Sequence, residues 1–239
     1  MKPSSAPNIE IVALDRAEIV FAARRWAFAA DRRGEIEAYF ADLCRTRSGI
    51  WNGRVVLLND YAIAGRTLRG RCFETDFASF CAWREWGFPD ASVHNVFAVA
   101  ALQSADGAFL VGEMAAATAS AGSIYFPCGT PEPGDVDADG FLDLAGNVGR
   151  ELLEETGIGV GELDAEPSWT MVRDRCYLAL LKRVVSPQRA EALRTRIMDH
   201  VARDKRPEFA GIRIVRSPAD FDPAMPQFVT AFLTHYWTR

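Results

Sequence analysis

A capped acidic helix between Asp143 and Gly157 constrains this chain more than any other segment. Asp143 is a favourable N-cap and Gly157 a favourable C-terminal stop, so a helix is predicted over residues 144–156. Because successive residues turn by about 100° in an α-helix, Glu151, Glu154 and Glu155 fall on one side of it. A separate apolar face can be buried, and it consists of Ala145, Val148 and Leu152.

Three carboxylates on one side of a helix repel one another, and the i,i+4 pair of Glu151 and Glu155 is destabilising. A divalent cation would remove this repulsion, and hard oxygen ligands suit Mg²⁺ or Mn²⁺ better than zinc. A second interpretation is a solvated acidic face in which Arg150 pairs with Glu154. The context favours the metal site, because a strand and a Gly/Pro loop over residues 128–135 precede the helix.

The order of predicted elements divides the chain in two. Residues 1–90 form an N-terminal α+β extension, with β-like stretches at 9–14, 19–28, 54–59 and 67–73, a helix at 34–44 and an aromatic-rich segment at 77–86. A turn signal at residues 87–90 marks the boundary. The second domain, residues 91–239, carries the acidic helix.

Within the second domain, strands are predicted at residues 95–102, 107–114 and 122–126, with a hairpin turn at 104–107. A β-rich run at 168–184 ends the central sheet, and a helix at 187–203, a strand at 211–215 and a helix at 225–237 follow. This order predicts an α/β fold, in which an α/β/α sandwich surrounds a mixed central sheet.

Composition excludes several classes of protein. The net charge is −5 and no segment is strongly basic, so we expect no nucleic-acid polymer as a partner. The five cysteines have scattered spacing and no C-x-x-C pair, which argues against a disulfide framework and a structural zinc site. No apolar run approaches the ~18 residues that span a bilayer, so we expect a cytoplasmic protein without a membrane partner. The sequence leaves the oligomeric state open, a homodimer included.

Residues 150–158, Arg-Glu-Leu-Leu-Glu-Glu-Thr-Gly-Ile, resemble the second half of the Nudix box, G-x5-E-x7-R-E-U-x-E-E-x-G-U, where U is a bulky aliphatic residue. The segment from Gly129 to Asp135 is similar to the first half, with two departures. Asp135 stands where Glu is usual, and fourteen residues instead of seven separate it from Arg150. Residues 136–142 are therefore interpreted as an insertion that leaves the helix and its metal binding intact.

The resemblance implies a Mg²⁺-dependent pyrophosphohydrolase, with Mn²⁺ as the other candidate metal, in which water attacks a nucleoside diphosphate linked to another moiety. It implies that Glu151, Glu154 and Glu155 bind the metal and that Arg150 orients a glutamate. It also implies that Gly129 and Asp135 frame the cofactor. A general base is expected. The candidates are Glu154 or Glu155 within the box and Glu208 before the last predicted strand, where an ordinary loop carboxylate is the other interpretation.

Substrate specificity lies outside the box. Residues 51–56 and 74–80 are loosely similar to a Nudix branch that includes UDP-glucose and UDP-galactose diphosphatases, which makes a nucleotide sugar such as UDP-glucose the first hypothesis. Dinucleoside polyphosphates, NADH, ADP-ribose and CoA stay open. Trp83, Trp86 and Phe88 either stack on a ligand or form core, and packing is the favoured interpretation. The alternative function is a catalytically weak Nudix-fold module that binds nucleotides and regulates.

Overall fold

The computed structural model describes residues 9–47 and 50–238, so residues 1–8 and 48–49 of the predicted extension lie outside it. Its strands are β1 (Glu10–Leu14), β2 (Arg16–Phe21), β3 (Arg54–Ala64), β4 (Thr67–Asp76), β5 (Asn95–Gln103), β6 (Phe109–Met114), β7 (Ile124–Tyr125), β8 (Cys128–Gly129), β9 (Asp164–Ala165), β10 (Trp169–Asp174), β11 (Tyr177–Val185) and β12 (Phe209–Val215). The α-helices are α1 (Ala27–Asp31), α2 (Arg33–Thr46), α3 (Phe77–Glu85), α4 (Leu144–Thr156), α5 (Ala190–Val201) and α6 (Gln227–Trp237). Short 3₁₀ helices cover Pro133–Asp135, Val160–Glu162 and Pro218–Asp220.

The central sheet is mixed, and its strand order is β1-β10-β11-β5-β6-β12. Strands β11 and β5 run parallel, whereas the other neighbours along this path are antiparallel. The short strand β7 pairs with β6, and the short strand β8 pairs with β5. The chain thus crosses the sheet on its way to the Gly/Pro loop. The predicted α/β fold with a mixed central sheet is confirmed.

Helices cover both faces of this sheet, which is why β5 reads as a continuous apolar run. Every residue of β5 is buried. Its even-numbered residues, such as Val96 and Ala98, pack in one cluster with apolar residues of α4 and α5. Its odd-numbered residues, such as Phe97 and Val99, pack in a second cluster with residues of α6. The helix α4 is therefore held by one face of the sheet.

A second sheet, ordered β2-β4-β3, occupies most of the predicted extension. Val56 and Leu58 on β3 belong to the core that contains α4, whereas Val55 and Leu57 face the helices of the extension. Trp83 is fully buried in that outer cluster, and Phe88 packs edge-on against it. The aromatic residues near the predicted boundary therefore serve as packing, as the favoured interpretation holds.

Three sequence predictions need correction. Residues 19–28 are not one strand, because β2 ends at Phe21 and α1 begins at Ala27, after the buried Trp26. Residues 168–184 form a hairpin that turns at Arg175, where φ is 54°. This hairpin lies inside the sheet, whose edge strands are β1 and β12. The strand predicted at 122–126 shortens to β7.

The predicted boundary at residue 90 stays a prediction, but the first strand does not belong to a separate extension. Strand β1 pairs with β10 over all five of its residues, from Glu10 opposite Arg173 to Leu14 opposite Trp169. Two further hydrogen bonds tie β2 to the insertion before α4: the amide of Phe21 donates to the carbonyl of Gly140, and the amide of Leu142 donates to the carbonyl of Ile19.

In the described part of the chain, no helix combines the length and apolar character needed to cross a membrane.

Candidate active site

The acidic helix α4 forms over the residues that its caps predict. The side chain of Asp143 accepts a hydrogen bond from the amide of Gly146 at 2.8 Å, which satisfies one free donor of the first turn. At the other end, Gly157 adopts a left-handed conformation with φ of 69°, which a side chain would disfavour. Val148 and Leu152 are buried in the core, so the opposite side of the helix is left for the glutamates.

The three box glutamates lie together but in different environments. Glu155 is 5% exposed; its Oε2 accepts a hydrogen bond from the amide of Cys128 at 3.0 Å, and its Oε1 has no hydrogen-bond partner among the described residues. The side chain of Glu151 is 12% exposed and pairs with Arg150 at 2.9 Å. Glu154 is 60% exposed, and its Oε2 lies 3.4 Å from Arg150 Nη1. Glu155 is thus the buried member of the set and Glu154 the solvated one.

Gly129, in the Gly/Pro loop, lies directly against Glu151. A β-carbon built on Gly129 would overlap the carboxylate of Glu151, so any side chain at this position would displace that carboxylate. The structure thus places Gly129 beside a predicted metal ligand. Its approach to a metal or phosphate stays a prediction.

Asp135 reaches Arg150 in spite of the insertion. Arg150 Nη2 donates to Oδ2 of Asp135 at 3.0 Å and to Oδ1 at 3.2 Å, and Asn147 Nδ2 donates to Oδ2 at 3.0 Å. The Asp135 side chain is only 7% exposed. Its oxygens are occupied by protein groups, so the residue positions Arg150, and direct contact with a cofactor stays a prediction.

The insertion forms a small hairpin between Asp135 and α4. Val136 forms a bridge with Leu142, and the amide of Asp137 donates to the carbonyl of Phe141 at 2.8 Å. The amide of Leu142 also donates to the carbonyl of Ile19 at 2.9 Å, which ties the hairpin to β2. The ends of the hairpin meet, so the extra residues do not separate Asp135 from the helix.

Glu208 enters the same region from the loop before β12. It lines a cleft together with Glu154, Glu155, His200, Asp204 and Arg206. The sequence prediction that an acidic residue before the last strand joins the site is therefore consistent with the geometry. Its role as the general base stays a prediction.

Burial and mutual repulsion disturb the protonation of these carboxyl groups. Burial raises the pKa of Glu155 well above its ordinary value, and the charges of Glu208 and Glu151 raise it further. Burial also raises the pKa of Glu151 to about 7, although Arg150 acts in the opposite direction. The pKa of Glu208 is raised by burial and by the charge of Glu154. Burial and mutual repulsion thus disfavour full ionisation of this set, and a nearby cation would favour it.

A hard divalent cation fits this donor set, which consists of carboxylate oxygens and includes the unpartnered Oε1 of Glu155. The described residues nevertheless contain no group of three His, Cys, Asp or Glu side chains already arranged around a metal position. Glu151 would have to share its carboxylate with Arg150. The predicted ligands Glu151, Glu154 and Glu155 thus lie together without forming a complete cage.

Two residues near the glutamates were missed by sequence reasoning. His200, on α5, places Nε2 at 2.9 Å from the carbonyl oxygen of Glu154. Tyr125 lies close enough to Glu155 and Glu208 for their charges to raise its pKa, after the larger effect of burial. Both contacts join segments that are distant in the chain, so no local sequence motif predicts them.

Cys128 is the cysteine nearest the site, and burial raises the pKa of its thiol well above the ordinary value. The charge of Glu155 acts in the same direction. A thiol held protonated is a poor nucleophile. Cys128 packs against the apolar cluster that contains Phe97 and Val99 and is not a candidate nucleophile.

Similarity to solved structures is detectable but low. The chain is similar to the Nudix hydrolase RenU from M. smegmatis, with 13% identity, a TM-score of 0.38, and coverage of 61% of this chain and 86% of the other. It is also similar to a Nudix hydrolase from Nitrosomonas europaea, with 16% identity, a TM-score of 0.36, and coverage of 61% and 89%. Several of its structural neighbours are Nudix hydrolases.

A MutT protein from Methanosarcina mazei is similar at 17% identity and a TM-score of 0.38, over 61% of this chain and 94% of the other. No protein-family model and no curated protein matches the chain. TM-scores below 0.5 do not carry a family assignment, so the case for the chemistry rests on the residues of the chain itself.

Proposed function

We propose that this chain is a Nudix-type hydrolase that uses Mg²⁺ to cleave a nucleoside diphosphate linked to another moiety. The observation that carries the proposal is the buried carboxylate of Glu155, whose Oε1 lacks a hydrogen-bond partner in the described part of the chain. An uncompensated buried carboxylate is costly, and a cation offsets that cost. The amide of Cys128 donates to the other oxygen of Glu155, and the next residue, Gly129, lies directly against Glu151, which supports a shared metal site.

In this proposal, different residues of the chain bind the metal and orient its ligands. Glu151, Glu154 and Glu155 would hold the metal, and they differ in that Glu151 and Glu155 are largely buried and Glu154 is exposed. Arg150 orients Glu151, and Asp135 orients Arg150. When bound, Mg²⁺ supplies neutralisation of phosphate charge and acidification of water.

Glu208 is the residue that we assign to proton transfer. Desolvation and the charge of Glu154 raise its pKa, which is the direction that makes a carboxylate a stronger base. It lines the same cleft as Glu154 and Glu155, on a loop that no box residue belongs to. In this assignment Glu208 accepts the proton of the attacking water.

The proposed substrate class rests on sequence similarity outside the box. A nucleotide sugar such as UDP-glucose is the first candidate, on the loose similarity of residues 51–56 and 74–80 to UDP-sugar diphosphatases. The purified chain would be tested against nucleotide sugars, ADP-ribose, NADH, CoA and dinucleoside polyphosphates, with Mg²⁺, with Mn²⁺ and with EDTA. We expect metal-dependent release of a nucleoside monophosphate, lost in Glu155→Gln and kept in the exposed control Glu37→Gln.

A nucleotide-binding module with weak catalysis is the second candidate. The specific observation in its favour is that Glu151 is paired with Arg150 and that no preformed group of three ligands is present in the described residues. Tight nucleotide binding without turnover on any member of the panel, with either metal, would establish the module and overturn the hydrolase.

A further inference from the structure

Positive charge is scarce in the cleft beside the box glutamates. Only His200 and Arg206 among its lining residues can carry a positive charge, whereas four lining residues are acidic: Glu154, Glu155, Asp204 and Glu208. The Nε2 of His200 is already within hydrogen-bonding distance of the carbonyl oxygen of Glu154. A diphosphate in this cleft would therefore find one uncommitted cationic side chain, that of Arg206.

The guanidinium of Arg206 makes no hydrogen bond or ion pair with any described residue, in contrast to many other arginines of this chain. Arg196, for example, pairs with Glu162, and Arg216 pairs with both Asp106 and Glu191. The N–H groups of the Arg206 guanidinium are thus available to a ligand, although carboxylates line the same cleft.

The loop that carries Arg206 is held in place on both sides. The amide of Arg206 donates to Oδ1 of Asp204 at 2.9 Å, and the carbonyl of Glu208 accepts from the amide of Ala115 at 2.8 Å. Pro207 lies between and restricts the backbone of the residue before it. Arg206 and Glu208 are therefore presented to the cleft from one constrained segment.

We propose that Arg206 is the phosphate-binding side chain of this cleft and holds a phosphoryl group of the substrate opposite Glu155. An arginine suits this role because its planar guanidinium can donate two parallel hydrogen bonds to phosphate oxygens. It would also offset the repulsion between the substrate and the carboxylates. This inference rests on the proposed function for its substrate class and adds a residue outside the Nudix box to the site.

The test compares Arg206→Ala with Arg206→Lys and with the matched control Arg203→Ala. Arg203 is an exposed arginine two residues after α5 that does not line the cleft, so its loss removes the same charge from the same region. We expect Arg206→Ala to raise KM for the best diphosphate substrate about tenfold to a hundredfold, with a smaller effect on kcat. Arg206→Lys should recover part of this loss, because it restores charge without the planar fork.

Two readouts separate binding from folding. Urea unfolding should be unchanged in Arg206→Ala, because the side chain has no described partner to lose; a loss of stability that matches the loss of activity would overturn the proposal. Calorimetric titration of the protein with inorganic pyrophosphate and Mg²⁺ reports binding, and a phosphate assay on the same sample checks that the pyrophosphate is not hydrolysed. Its affinity should fall in Arg206→Ala and stay constant in Arg203→Ala.

The possible failures are distinguishable. Suppose that the wild-type chain hydrolyses no diphosphate, but that its affinity for pyrophosphate falls in Arg206→Ala and not in Arg203→Ala. The proposed function is then wrong and the phosphate site stands. If hydrolysis is confirmed but Arg206→Ala keeps the wild-type KM and pyrophosphate affinity, the proposed function stands and the assignment of Arg206 is wrong. If the wild-type chain neither hydrolyses diphosphates nor binds pyrophosphate, both are wrong.

Discussion

Asp135 accepts hydrogen bonds from Arg150 on both of its carboxylate oxygens, although the two residues are fifteen positions apart. The pair holds the Gly/Pro loop against α4, and Arg150 in turn contacts Glu151. The chain from Asp135 through Arg150 to Glu151 thus links loop, helix and candidate metal ligand. An aspartate performs the bridging here because the loop brings its short side chain close enough.

This relationship predicts the effect of Asp135→Asn. The variant keeps the shape of the side chain but removes the charge that Arg150 contacts, and Arg150 is one-third exposed. We expect the free energy of unfolding to fall by about 1–2 kcal/mol and turnover to fall with it, measured by urea unfolding and by substrate hydrolysis. The exposed neighbour Asp139→Asn is the control. Equal behaviour of the two variants would show that the Asp135–Arg150 pair has no positioning role.

The hairpin formed by the insertion predicts that it can be shortened. Replacing residues 137–141 by Asn-Gly leaves Val136 and Leu142 joined by a two-residue turn. We expect the fold and the Asp135–Arg150 pair to persist, with a loss of about 1 kcal/mol as the hydrogen bond from Phe21 to Gly140 disappears. Circular dichroism and urea unfolding measure this. Loss of cooperative unfolding would mean that the insertion is part of the core.

The contact of Gly129 with Glu151 predicts a selective loss of activity. A β-carbon in Gly129→Ala would overlap the Glu151 carboxylate and displace it, whereas Gly134→Ala, in the same loop, meets no close neighbour. We expect Gly129→Ala to lower turnover by about a hundredfold, because a misplaced reacting group is costly. Gly134→Ala should be close to wild type. Hydrolysis assays with a thermal unfolding control measure both, and equal activities would remove Gly129 from the site.

The raised pKa values predict how metal-free stability depends on pH. For Glu151, the folded pKa of about 7 lies above the ordinary 4.5, so the protonated carboxyl group is favoured by folding. Its contribution is complete below pH 4.5 and is lost as the pH rises to about 7. Glu155, with its pKa raised well above 4.5, acts in the same direction.

We therefore expect the metal-free protein to lose stability across this pH window and Mg²⁺ to restore it. Glu155→Gln should raise the stability at neutral pH and abolish hydrolysis, whereas Glu154→Gln, on an exposed side chain, should leave the stability unchanged. Urea unfolding across the window, with and without Mg²⁺, measures these differences. A stability that rises with pH in the absence of metal would contradict the burial of Glu155 and Glu151.

Local signals predicted α4 well. Asp143 and Gly157 cap it as predicted, and Val148 and Leu152 are buried as the helical repeat predicts, whereas Ala145, predicted on the same face, is exposed. Elements that depend on distant partners were predicted less well. The segment after Phe21 turns away from a strand because Trp26 packs against Phe73 and Trp83 and donates through Nε1 to Asp90. No local pattern encodes those partners.

The sequence by itself determined the acidic helix, its caps and the set of glutamates, because caps and helical periodicity are properties of neighbouring residues. Only the tertiary structure decided which glutamate is buried, that Asp135 still reaches Arg150, and that Glu208 and Arg206 enter the cleft. These outcomes depend on segments far apart in the chain, whose approach is set by how the sheets and helices pack. Burial then sets the pKa of each carboxyl group, so the unequal chemistry of Glu151, Glu154 and Glu155 arises only in the folded protein.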